Sequence, residues 1–371
     1  MTIWKCEERL DRRRCSSNSI VLIAGSTNPA TLSIIYMNFL KRKTLLFLFA
    51  IPLLATVFIH GGRAEDQLKT LKIGLNQWPG FDVILYAQET DIFQKRGLEV
   101  EFVQFENLQD IARAVMRGSL DAGSVTVWDA LQADPGNDSP AFLLVSDISN
   151  GSDGIVARSN IQSVADLKGK RIGAKLGTVN HLVLLEALQY YQIQPHAVEI
   201  VDISNEEAVK KLELGELDAA VVWEPLLSDT AKSIQGNIIY TTREIESLVI
   251  DGFMSSASSR QRKEAELQQF ILAWFDVMHA IETQPVEVFS VVGKQYGLSV
   301  EAFAEDYAGL QKGDLATNKE MFVRGGLKWA TRRLEAMLHE DTRHGRIVRD
   351  DLTIDSELSV KAIQRWKLSE L

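Results

Sequence analysis

Gly118-Ser-Leu-Asp-Ala122 leads into an apolar run that ends Val127-Trp128-Asp129, and 97 residues further on Gly215-Glu-Leu-Asp-Ala219 leads into a run that ends Val222-Trp223-Glu224. Each copy has the same parts in the same order: a glycine that stops a helix, Asp-Ala, a short buried strand, a tryptophan and an acid. Gly-x-Leu-Asp-Ala alone is short enough to recur by chance. The shared Trp-acid ending makes two related lobes the better account. Ligands of open α/β sheets sit beyond the carboxyl ends of the strands. Two such lobes facing each other would set both Trp-acid pairs on one cleft.

Outward from these units, short apolar strands alternate with amphipathic helices, the pattern of an α/β fold. Leu71–Leu75 reads as a strand, Trp78-Pro79-Gly80 as a turn, and Phe81 to about Gln94 as a helix stopped by Gly97. Glu99–Phe105 alternates as a strand, Asn107 caps a helix ending at Gly118, and Asp121–Val127 is the next strand. Ser163 and Asp166 form a capping box before a short helix ended by Gly169, and Arg171–Ala174 is a strand. His181–Tyr191 is a helix, Asn205 opens another that runs to Leu214, and Asp218–Trp223 is a strand. From about Glu264 the pattern is helical: Leu267–Glu282, Val286–Tyr296, Val300–Leu310 and Lys319–His339.

The net charge of −10 and the lack of a long basic run beyond the first 45 residues speak against nucleic-acid binding. Lys41-Arg42-Lys43, the apolar stretch Thr44–Ile59 and the small residues Gly62 and Ala64 spell a secretory leader cleaved before Glu65. Sixteen apolar residues interrupted by Pro52 are short for a membrane span. Met37 stands just before the basic triplet, so residues 1–36 read as an extension upstream of the natural start. Both cysteines, Cys6 and Cys15, precede the leader, so the exported chain would have no disulfide, thiolate-held metal or thiol nucleophile. With no cysteine at the cleavage point a lipid anchor there is ruled out, and a free periplasmic protein fits best. Gly-x-Ser-x-Gly, Walker A and Gly-x-Gly-x-x-Gly are absent after residue 64. His181 and His279 stand alone on helices without metal-ligand spacing.

At this point the chain resembles the periplasmic solute-binding proteins of the nitrate, sulfonate and taurine ABC transporters, a family that includes binders of thiamine-pyrimidine precursors. The resemblance is carried by Gln77-Trp-Pro-Gly-Phe81, Asp91–Glu101, Gly118–Ala122, Asp153-Gly-Ile-Val-Ala157, Val164–Gly173 and Gly215–Pro225. It implies a type II periplasmic binding fold: two Rossmann-like α/β lobes with mixed sheets, joined by two crossovers, with C-terminal helices. Mapped here, lobe 1 holds 65–150 plus 254–371 and lobe 2 holds 151–253. The crossovers fall at Asn150–Gly154 and Asp251–Met254, where Gly151, Gly154 and Gly252 supply backbone freedom.

The candidate ligand-binding residues follow, each with a plainer alternative. Trp78, with Pro79 and Gly80, offers a ring on a rigid turn for stacking, or a structural Trp at the lobe edge. Thr126, Trp128 and Asp129 close the third strand; Asp129 accepts from a ligand amine or merely caps the next helix. Trp223 and Glu224 are the lobe 2 counterpart, with Glu224 alternatively a helix-start acid ahead of Pro225. Gly177, Thr178 and Asn180, helped by Lys175, form an anion site at a helix N-terminus or an ordinary cap. Asp153 holds a ligand ammonium or ties the crossover.

The expected function is capture of a small organic solute between closing lobes, with delivery to a cognate ABC permease in the inner membrane. The protein is expected to be a monomer without catalytic residues, cofactor or metal. An aminosulfonate is favoured and a flat heteroaromatic such as a pyrimidine is the alternative. Two other classes remain: a pyrimidine-synthesising enzyme of the same fold, disfavoured because relatives of that kind use a Cys-rich motif, and a sensing module for a membrane kinase.

Overall fold

The computed structural model describes residues 68–133, 138–341, 347–354 and 356–366; the extension at 1–36 with Cys6 and Cys15, the leader at 37–64 and the cleavage point before Glu65 lie outside them. The strands are β1 (Lys69–Asn76), β2 (Leu98–Phe105), β3 (Ala122–Thr126), β4 (Pro140–Ser149), β5 (Asp153–Ala157), β6 (Arg171–Gly173), β7 (Glu199–Val201), β8 (Ala219–Trp223), β9 (Asn237–Thr241), β10 (Ile250–Ser256), β11 (Leu310–Lys312) and β12 (Thr353–Ile354). The helices are α1 (Pro79–Asp82), α2 (Leu85–Glu89), α3 (Ile92–Lys95), α4 (Leu108–Met116), α5 (Val127–Leu131), α6 (Val179–Tyr190), α7 (Asn205–Glu213), α8 (Leu226–Ser233), α9 (Ala257–Arg262), α10 (Glu264–Thr283), α11 (Pro285–Gln295), α12 (Val300–Ala308), α13 (Leu315–Asn318), α14 (Gly326–Glu340) and α15 (Ser356–Arg365).

The strands sort into two mixed sheets, in agreement with the expected α/β class. The first runs β2-β1-β3-β10-β4-β11, with β12 also on β4. β1 lies parallel to β2 and β3, whereas β10 returns antiparallel between β3 and β4. The second runs β7-β6-β8-β5-β9, with β5 antiparallel to both neighbours. All residues of β3, β4 and β10 are buried, as central strands covered on both faces require. The chain leaves the first sheet after Ser149 and re-enters it at Ile250. The two passages are tied together: Ser149 N donates to Val249 O at 3.0 Å, and Gly151 N to Thr242 Oγ1 at 2.8 Å.

Several local expectations change. The helix expected from Phe81 is three short pieces, α1 to α3. β3 ends at Thr126, which caps α5 by accepting from Asp129 N at 3.0 Å, so Val127 is already helical. α7 opens at Asn205 as expected, with Ser204 as its cap. The helix expected over 319–339 breaks into a π-helical turn and α14, with Gly325 left-handed at φ 87° between them. Asp251–Met254, expected as a crossing, are central residues of β10, and residues 242–249 make the passage instead. Gly252 is needed for close approach rather than for freedom: a Cβ there would overlap Leu144 O and the Phe142 ring.

α10 is the core helix of the first sheet. Its Phe270 and Trp274 sit 5.2 and 5.9 Å from Phe253 of β10, ring centre to ring centre. On the same helix Asp276 is fully buried and receives Arg96 Nε and Nη2, both at 2.8 Å, plus Trp366 Nε1 at 2.8 Å. This fork holds α3, α10 and the segment after α15 together. Removing one partner of a buried pair strands the other charge, at a cost of roughly 3–5 kcal/mol. Arg96→Met is therefore expected to lower unfolding stability by about that amount; a urea titration followed by far-UV circular dichroism measures it, and a loss under about 1 kcal/mol would show the pair is not structural.

Candidate functional site

A cavity of about 330 Å³, part of it open to solvent, lies where the two sheets meet. The first sheet and its helices contribute Asn76 at the end of β1, Trp78 and Phe81 around α1, Leu108 opening α4, Thr126 closing β3, and Asp251 in β10. The second contributes Asp153 opening β5, Val179 opening α6 and Trp223 closing β8, while Val249 comes from the passage between sheets. Among the lining residues there is no Lys, Arg or His.

Four expected residues thus meet at one cavity: Trp78, Thr126, Asp153 and Trp223. Trp78 Nε1 donates to Asp147 Oδ1 at 3.2 Å, which fixes its ring. Pro79 and Gly80 do not line the space; Gly80 lies so near Asp147 that a Cβ would overlap its carboxylate. Trp128 departs from its twin Trp223. Because α5 starts at Val127, the Trp128 ring turns into the core, 1% exposed, and its Nε1 donates to Gly177 O at 3.2 Å. Asp129 accepts a bond of 2.7 Å from the Thr126 hydroxyl and completes the cap. Glu224 lies on a neighbouring cleft of about 760 Å³ with Lys232 and Arg243, and accepts from Ser228 N and Oγ at 3.0 and 2.6 Å.

The groups expected to receive an anion already have protein partners. Gly177 N donates to His181 Nδ1 at 3.2 Å, Thr178 Oγ1 to Lys175 O at 2.7 Å, and Asn180 Nδ2 to Val221 O at 2.6 Å. Lys175 pairs with Asp202 at 3.0 Å. Of that loop only Val179 reaches the cavity. The Gly177 carbonyl is instead a clasp between the sheets: it accepts from Gln109 Nε2 at 2.9 Å, Gln132 Nε2 at 3.1 Å and Trp128 Nε1, all from helices of the first sheet.

Sequence reading missed Asn76, Phe81, Leu108, Val179, Val249 and Asp251, and Asp147 behind them. Strand register explains the carboxylates. Asp251 stands opposite Asp147 on one side and Thr126 on the other, and Asp153 stands opposite Trp223. Directly opposed residues share a face. Burial raises all three acids, because water is withdrawn from the charged form. Asp153 is pushed up to about 6, chiefly by burial and further by Glu224, against a hydrogen bond from Ser149. Asp251 rises well above the usual range through burial, then repulsion from Asp147, Asp153 and Asp129. Asp147, opposite Asp251, is likewise pushed up to about 7, chiefly by burial, against hydrogen bonds from Trp78 and Ser146. Asp82, beneath Trp78, is raised to about 8 by burial, although Tyr296 Oη donates to it at 2.7 Å. The Oδ2 atoms of Asp153 and Asp251 are buried without a hydrogen-bond partner. A lone acid in the run Ala141–Ile148, apolar but for Ser146, is the signal that could have found Asp147.

Residues 64–288 match the NMT1-like family. A Brucella abortus protein named as a binding protein is 25% identical over 202 residues, 54% of this chain and 60% of its own length. The Escherichia coli taurine-binding periplasmic protein is 29% identical over 43% of this chain and 49% of its own length. The chain thus spans about 60% or less of the length of these curated relatives. Among solved structures, the periplasmic aliphatic sulphonate binding protein SsuA of Escherichia coli superposes with a TM-score of 0.57 at 19% identity, covering 66% of this chain and 84% of that one. The desulfurization enzyme DSZB superposes with a TM-score of 0.55 at 16% identity, covering 80% of this chain and 99% of that one. At these identities the superpositions show a shared fold. The fold of the periplasmic binding proteins, the duplicated strand ends and the match over residues 64–288 make this chain a member of the NMT1-like family.

Proposed function

We propose that this chain is the solute-binding component of an ABC importer, exported by the leader at 37–64, which closes on a small organic solute and presents it to an inner-membrane permease. It acts as a monomer and by binding alone. The observation that carries the reading is the cavity itself: Trp78 and Trp223, one from each sheet, border a single small space with Asp153 and Asp251. A solute there touches both sheets only when they are together, so its binding shifts the population toward the closed state. The curated relatives are named as binding proteins, and the taurine-binding one is periplasmic, which supports both the class and the compartment.

An aminosulfonate remains the favoured solute. Its ammonium suits the buried acids, and its sulfonate would be met by neutral donors such as the first turn of α6 at Val179 rather than by a side-chain cation. Trp78, Phe81 and Trp223 favour the second reading, a flat aminopyrimidine-like heterocycle. Titration calorimetry with taurine, alkanesulfonates, nitrate and aminopyrimidines tests the class, and a chain that binds none of them would count against it.

Two expected outcomes follow from the geometry. Trp78→Ala and Trp223→Ala should each weaken the best of these solutes by about tenfold or more, the value of a lost aromatic wall. Loss of the half-buried Trp223 should leave the melting temperature within a few degrees, whereas loss of the buried Trp78, which donates to Asp147, should lower it. Calorimetry checks this, and unchanged affinity in both variants removes the cavity from consideration. The paired variant Gln109→Ala/Gln132→Ala, which takes two of the three donors from Gly177 O, should enlarge the radius of gyration of the solute-free chain in small-angle scattering; an unchanged radius would mean the clasp does not hold the sheets closed.

A further inference from the structure

The proposed solute site carries an imbalance that its shape alone does not explain. Two carboxylates line it, Asp153 and Asp251, at 4% and 3% exposure, each with one oxygen sealed from solvent and unpartnered. A buried acceptor without a donor is costly, and a buried carboxylate more so. The surrounding groups deepen the deficit. Asp147 on β4, Asp129 on α5, Asp82 on α1 and Glu224 after β8 are acidic, and Tyr307 on α12 is neutral. The cations in the neighbourhood stand outside the cavity wall: Lys312 is opposite Asp147 at the sheet edge, and Arg243 faces the neighbouring cleft. Trp78 and Trp223 add electron-rich ring faces to the same wall.

Building on the reading of this cavity as a solute site, we propose that Asp153 and Asp251 form a subsite for a protonated nitrogen of the solute, an ammonium or amidine-like N–H donor, and that the protein selects solutes that carry one. The donor satisfies the two unpartnered oxygens and replaces the water lost on burial. Hydrogen bonds to charged groups contribute more than neutral ones, which makes the choice between an amine and its hydroxyl counterpart a large one. The neutral donors of the wall then orient the rest of the molecule.

The sign of the pH dependence follows. Acids raised by burial are neutral in the folded chain at pH values where the unfolded chain has already ionised, so their contribution to the stability of the empty protein is fully present at low pH and is lost as pH rises through the folded values. For Asp153 that window runs from about 4 to about 6. Affinity for a cationic solute moves the other way and strengthens as Asp153 ionises.

The test is a thermal-shift and calorimetric comparison of the full chain with matched pairs: taurine against isethionate, and 4-amino-5-hydroxymethyl-2-methylpyrimidine against its 4-hydroxy counterpart. The amine member of at least one pair is expected to bind about tenfold or more tightly than its partner, and Asp153→Asn to erase that preference while leaving the amine-free member within about threefold. Asp251→Asn serves as the second variant. The solute-free Asp153→Asn protein should melt higher than the parent at pH 7 and lose less stability between pH 4 and 6, which shows that it is folded and that the acid was buried at a cost. Equal binding of both members of each pair, or an undiminished preference in both variants, overturns the subsite and leaves the solute-binding reading standing. Absence of binding by every compound overturns both.

Discussion

The structure turns on one strand. β10 returns antiparallel into the middle of the first sheet, between β3 and β4, after the chain has built the second sheet. Because β4 ends where its antiparallel neighbour β10 begins, the two passages run side by side and bond to each other through Ser149, Gly151 and Thr242. The same register puts Asp251 opposite Asp147 and Thr126 in a single row. Asp153 starts β5 just past the outgoing passage and is opposed by Trp223. Three carboxylates from three different strands, β4, β5 and β10, thus converge on one place. Buried acids lower stability unless they are paired. Their presence is one of the observations that support the proposed solute site at this seam.

α6 connects that seam to the rest of the molecule. Its first residue, Val179, borders the cavity, and its cap region offers Gly177 O to three donors from the first sheet. Along its length Val183, Leu184 and Leu188 belong to the same apolar cluster as Leu334, Met337 and Leu338 of α14. Polar pairs flank that contact, Glu186 with Arg333 and His181 with Asp341 at 3.1 Å. One helix of the second sheet is therefore held at its N-terminus by a hydrogen-bonded clasp and along its side by a C-terminal helix. The His181 reading as a lone structural residue fits this arrangement: its Nδ1 accepts from Gly177 N and its Nε2 meets Asp341.

The duplication was legible in sequence, and so were the class and four of the cavity residues, because strand–helix alternation and strand-end position are local properties. What the repeat concealed was its own divergence. Val127-Trp128-Asp129 and Val222-Trp223-Glu224 look alike, yet Thr126 caps a helix at once and buries Trp128. In the second copy Pro225 precedes the helix and β8 runs on to Trp223, whose ring stays at the cavity. The loop groups expected to meet an anion are engaged for a related reason. A Gly-Thr-x-Asn turn before a helix advertises free donors, and only the fold reveals that His181, Lys175 O and Val221 O have engaged those groups. Asp147 and Asp251 lie within strands, and nothing short of register brings them together.

The unpaired oxygens also bear on motion. On the proposed reading, with the sheets together and no solute between them, Asp153 and Asp251 each keep one oxygen without water or a donor, and that state carries the cost of those two atoms. With the sheets apart, water reaches them and the cost falls, while the bonds to Gly177 O are lost. The empty protein is thus balanced between a clasp that favours closure and charges that oppose it. A solute that brings its own donor removes the opposing contribution alone and tips the balance. On the proposed reading, the acids that select the solute are therefore the same groups that make closure depend on its arrival, and neither property requires any further device in the fold.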